Sequence, residues 1–154
     1  MAGLIGGCFA AFWSMAVAAF AGYGFLFPFT LIGATFGGPE ALVGSTGVVF
    51  WGLSIHVLAS VAFGIVYAFM VRPEVQNTTS LIGGVVYGMA ILAVMSYVVL
   101  PWANPVLHQR VWMMPTSWFF IHAVYGLGVA SVPMLERRLG KQTPLTNTSH
   151  FPSA

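Results

Sequence analysis

A chain of 154 residues that is 58% hydrophobic and only 5% charged cannot cover a water-soluble globule, because a soluble domain commits roughly a quarter of its residues to charge. Its eight charges, five basic and three acidic with no Asp, are scattered and leave no basic patch for nucleic acid. Cys8 is the one cysteine, so the chain carries neither an internal disulfide framework nor a thiolate metal cluster.

Four apolar runs follow in chain order, at residues 4–27, 48–71, 81–100 and 118–135. Each approaches the ~20 residues needed to cross a ~30 Å hydrocarbon core. A helix satisfies its own backbone, as the bilayer requires. The first run has no Lys or Arg before it ("MAGLIGG"), so it reads as a retained transmembrane helix and not as a signal peptide. The expected architecture is therefore an all-α, four-transmembrane-helix bundle occupying residues 1–138. A polar cytoplasmic tail, residues 139–154, follows it.

The connections differ. "PFTLIGATFGGPEALVGS" is long and apolar, and is expected to lie along the outer interface or dip into it. "RPEVQNTT" is a short polar turn. "PWANPVLHQRVWMMPTS", with three prolines and two tryptophans, reads as a folded outer loop. Pro133 is expected to bend the exit of the last helix.

Lys and Arg set the orientation. Arg72, Arg137, Arg138 and Lys141 fall on the side of both termini, and only Arg110 on the other. The positive-inside rule then makes both termini cytoplasmic. Trp51, Trp102, Trp112 and Trp118 gather at the outer boundary, where an aromatic belt belongs.

The chain also repeats itself. "LIGGCFAAFWSMAV" (4–17) and "LIGGVVYGMAILAV" (81–94) share their first four residues and a later AV, which points to two repeated helical hairpins. The second run carries His56, Ser60, Gly64 and Ala68 at spacing four. The fourth carries His122, Gly126 and Ala130 at the same spacing. Small residues in such stripes let helix backbones approach closely in lipid, and Gly84 and Gly88 extend the pattern to the third run. His56 lies 16 residues before Arg72, and His122 lies 15 before Arg137. At 1.5 Å per residue both stand roughly 23 Å above the inner charge layer. The two imidazoles are thus expected at one depth, facing the bundle interior.

An ionisable group inside the membrane is a functional candidate by default. The plainest role for this pair is hydrogen bonding to a carbonyl or hydroxyl across helices, with Ser54, Ser60, Tyr67 and Tyr125 as candidate partners. A sharper one is axial ligation of a haem b or of a chlorophyll-type pigment by His56 and His122. A proton relay is less well supplied, since Glu40, Glu74 and Glu136 all fall outside the spans. His108, Met113 and Met114 offer imidazole and thioether ligands of the kind Cu(I) favours, while an interfacial anchor explains the same residues. His150 lies in the polar tail. No catalytic motif and no carboxylate pair is present.

One helix carries His56, Ser60, Gly64 and Tyr67. The next carries Gly84, Tyr87 and Gly88 and ends at Pro101, and the last carries His122, Tyr125 and Gly126. In these features the chain resembles small four-span bacterial inner-membrane proteins of unknown function, over most of residues 3–135. The resemblance implies a bacterial inner membrane and no activity. The leading functional expectation is a non-catalytic membrane subunit of a larger energy-transducing complex. Its partners would be the lipid bilayer and other transmembrane subunits, or a second copy of the chain. The alternative is a small oligomeric channel or transporter with the paired histidines lining its path.

Overall fold

The computed structural model describes residues 1–71 and 77–140, which form helices joined by short turns. Arg72, Glu74, Lys141 and His150 lie outside the described residues, as do most of the 72–79 turn, the tail from 141, and the side chains of Glu136, Arg137 and Arg138. In order the elements are α1 (Ala2–Phe20), α2 (Phe27–Gly37), a 3-10 turn (Pro39–Val43) and α3 (Thr46–Met70). Then come α4 (Asn77–Val94), a π-helical turn (Met95–Val99), α5 (Leu100–Ala103), α6 (Pro105–Met113) and α7 (Pro115–Gly140). Among the described residues there is no strand. Four segments are long and apolar enough to cross a membrane: Ala2–Phe20, Thr46–Met70, Thr78–Ala103 and Pro115–Leu135. The protein is an all-α four-helix bundle of the multi-pass membrane class.

The first span is shorter than its apolar run. α1 stops at Phe20 because Gly22 and Gly24 adopt positive φ, +80° and +90°, which glycine reaches without a Cβ penalty. The apolar stretch continues through this turn into α2, a helix of 11 residues that at 1.5 Å per residue is too short to cross. Its start is eased by Pro28 in the first turn. α2 packs on the N-terminal half of α3: a Cβ at Gly52 would strike the Phe29 carbonyl, and one at Gly33 would strike that of Val48.

Three glycine seams hold the bundle. α1 meets α3 where Gly3 faces Ser60 and Gly64, and Gly7 faces the Ser60 side chain. α1 meets α7 where Gly6 lies against the Tyr125 carbonyl and Gly128 against the Gly6 Cα. α4 meets α7 where Gly84 faces Gly126 and Ala130, and Gly88 faces the His122 carbonyl. Without a hydrophobic drive between helices in lipid, such close van der Waals contact is what favours association. α3 and α4 meet instead through longer side chains. Tyr87 donates to the Phe63 carbonyl (2.6 Å) and Tyr67 to that of Ser80 (3.3 Å). The two hairpins are therefore alike in their own seams but unlike in how each joins the other.

Ala68 departs from the expected stripe: it is exposed, and Tyr67 is buried in its place. Steps of four overshoot a 3.6-residue turn by about 40° each, so three of them rotate off the packed face, while the three-residue step from Gly64 to Tyr67 returns to it. At the end of the bundle opposite the N-terminus of α1, the helices diverge from their seams. α2 and α6 fill part of that opening.

Candidate functional site

The divergence leaves a cavity of about 350 Å³ among α1, α3, α4 and α7, roofed by α2 and α6. Its wall is mostly apolar, with His56, Ser60, Ser96, Asn104, Arg110, His122 and Tyr125 among the polar residues that line it. Below it, Tyr67, Val129 and Ala130 are buried in a packed core. The space thus lies in the half of the bundle that holds α2 and α6, with the packed core beneath it.

Each polar group is placed by its own helix. Tyr125, one turn along α7 from His122, donates to the Ser60 carbonyl at 2.9 Å. Ser60 stands one turn along α3 from His56. Because α3 and α7 run the same way, this bond sets the two imidazoles at one level, just above the cavity floor. Their chemistry nevertheless differs. His56 Nε2 lies 3.0 Å from the Gly7 carbonyl, and a carbonyl only accepts, so Nε2 carries the proton and donates. This bond fastens α3 to α1, and Phe29 packs edge-on against the same ring at 5.9 Å. His122 Nδ1 lies 2.8 Å from the Trp118 carbonyl, one turn back on its own helix. Here Nδ1 donates, which leaves Nε2 as the acceptor.

An axial haem or pigment pair would need a ring nitrogen of each histidine free to ligate. Each histidine keeps one: Nδ1 of His56, whose Nε2 donates to Gly7, and Nε2 of His122, whose Nδ1 donates to Trp118. Both partners are backbone carbonyls: His56 bonds across the α1–α3 interface, while His122 bonds within its own helix, and the expected hydroxyls of Ser54, Ser60, Tyr67 and Tyr125 are not the partners. At Gly7, the absence of a side chain lets the imidazole reach the carbonyl directly.

His108 lies on α6, where its Nε2 accepts from the Trp112 indole at 2.8 Å with the rings perpendicular. Met113 and Met114 are exposed at the end of that helix. Among the described residues no cluster of three His, Cys, Asp or Glu side chains is positioned to hold a metal ion.

Two site residues escaped the sequence reading. Asn104 is 1% exposed and joins the roof to itself. Its Nδ2 donates to the Leu31 carbonyl (3.0 Å) and to Thr35 Oγ1 (2.7 Å), and its Oδ1 caps α6 at the Leu107 N–H (2.9 Å). The signal was the Asn-Pro pair, a helix start with Pro105 in the first turn. Ser96 is 3% exposed and lines the cavity with its Oγ lacking any hydrogen-bond partner. It sits in the π-helical turn, a distortion that frequently marks functional positions. A serine in an apolar helix gave no sequence signal.

At the cavity's mouth, Arg110 lies over the rings of Tyr23 (5.3 Å) and Phe27 (5.8 Å) and donates to the Tyr23 hydroxyl at 3.4 Å. No family model, curated protein or solved structure matches the chain.

Proposed function

We propose that the protein is a non-catalytic membrane-embedded receptor for a small, largely apolar molecule held in the outer-half cavity. The observation that carries this reading is Ser96. A buried hydroxyl without a partner costs about 1–3 kcal/mol, and this one belongs to a residue that lines an apolar space roofed by two helices. A guest that hydrogen-bonds Ser96 removes that cost. Apolar concavities with a few convergent polar groups are the usual form of small-molecule sites.

Trp118 lines the cavity, unlike the other four tryptophans, and so reports on it. Titrating the detergent-purified protein with 12-bromododecanol is expected to quench Trp118 fluorescence saturably. Ala59→Phe, which fills the space from α3, is expected to abolish the saturable component. Linear quenching that is the same in both proteins would refute the reading.

Transport is the second reading, favoured by the one-sided vestibule. Alternating access passes through a state that is open outside and packed inside. The expected role as a subunit of an energy-transducing complex rests on the exposed aromatic faces of the helices, and lipid serves those faces equally well.

The proposed setting is a bacterial inner membrane with both termini cytoplasmic, supported by the four basic residues on the terminal side and the tryptophans on the other. A cysteine placed at Thr78 in a Cys8→Ala background should be labelled by an impermeant maleimide only after the cells are opened. Labelling of intact cells would reverse the orientation.

A further inference from the structure

Resting on the receptor reading, we infer that the guest is a single-chain amphiphile with an anionic head, bound with the head at Arg110 and the alkyl chain running down toward His122. Three observations converge on this chemistry.

The first is charge. Arg110 contributes the one described basic side chain that lines the cavity. Its guanidinium meets two aromatic faces and a neutral phenol. The stacking on Tyr23 and Phe27 holds the planar group at the mouth, and the remaining N–H donors form the fork that fits a carboxylate or phosphate. Among the described residues the one carboxylate side chain is Glu40, in the 3-10 turn before α3, and the ring contacts of Arg110 leave its charge without an anionic partner.

The second is polarity along the cavity. Ser96 lies eight residues outward of Gly88, which packs on the His122 carbonyl. That is about 12 Å above the imidazole level at 1.5 Å per residue. The unpartnered hydroxyl therefore belongs to the upper cavity, near the roof that bears Arg110, where a head group has oxygen to offer. Deeper down, the wall is made of Phe63, Ile91, Leu92 and Ile121, which suit methylenes.

The third is size. A space of about 350 Å³ equals the liquid volume of about a dozen waters at ~30 Å³ each. A methylene group takes up about as much room as a water, so the space admits a chain of roughly ten to twelve carbons.

Free fatty acids and lysophospholipids share this chemistry, and the test separates them. Quenching of Trp118 is measured with 12-bromododecanoate, 12-bromododecanol, a cationic 12-bromododecyl trimethylammonium, and a lysophosphatidylglycerol brominated on its chain. The carboxylate, the lysolipid or both should bind at least about tenfold more tightly than the alkanol, the range expected for a charge-assisted contact, and the cation more weakly still. The tighter of the two anions identifies the source. Arg110→Gln should erase the gap between anion and alkanol, and Arg110→Lys should restore part of it, with gel-filtration profile and melting temperature unchanged in both. Equal saturable binding of alkanol and anions would overturn the anionic head while leaving the receptor reading intact. So would an Arg110→Gln protein that keeps the gap. Absence of saturable binding by every probe would overturn the receptor reading, and this inference with it.

Discussion

Gly126→Leu is expected to stop the bundle from assembling. A Cβ at this position would run into the Gly84 carbonyl and the Val85 nitrogen of α4. These are backbone atoms, which cannot turn aside as a side chain can. Overpacking a core ordinarily costs about 1–3 kcal/mol. Here the α4–α7 seam has to open, so the cost should exceed that range and most of the protein should elute aggregated. Gly83→Leu is the matched control. Nothing lies within 4 Å of a Cβ at Gly83, and the change should stay within about 0.5 kcal/mol. Gel filtration and thermal melting in detergent compare the two. A monodisperse Gly126→Leu protein that melts with the wild type would sink the glycine-seam account.

The second large effect is expected at Asn104→Leu. The new side chain is of similar size but can neither donate to Leu31 and Thr35 nor cap α6. Loss of a cap alone costs about 0.5–2 kcal/mol, typically ~1. The buried bonds to α2 add about 1 kcal/mol each, for a total of about 2–4 kcal/mol. Because the lost bonds are those of the roof, the change should also be local. Hydrogen exchange should accelerate in α6 and in the turns of α2 around Leu31 and Thr35, while the α4–α7 seam keeps its protection. Uniform exchange across the chain, or a melt within about 0.5 kcal/mol of the wild type, would show that Asn104 does not hold the roof.

These two residues mark how much of the molecule was legible in its sequence. Hydropathy located four spans, because a run of apolar side chains is a one-dimensional property. It could not end the first of them, since residues 21–27 remain mostly apolar while Gly22 and Gly24 turn the chain. The spacing His56, Ser60, Gly64 did mark a packed face, and lost it at Ala68, where repeated steps of four outran the helical turn. The glycines at 3, 6 and 7 were not legible as packing residues, Gly6 and Gly7 marking only a repeat: glycine is abundant here, with 18 copies, and its partners lie far along the chain. The cavity was beyond reach because it arises where helices diverge from their seams, and no single segment encodes that.

The α1–α7 seam has a consequence for how the protein is made. Gly6 leaves the ribosome well before its partner Gly128, which follows only after α2 through α6 have been synthesised. Chains fold from the N-terminus as they emerge, so α1 must enter the bilayer with that face bare to lipid. It can zip onto α3 early, through Gly3 and Gly7, while the other side waits for the last helix. A nascent chain arrested before α7 would hold a loose hairpin with a lipid-filled groove. Capture of that groove by some other small-residue helix is the misassembly to which such a biosynthetic order is most open.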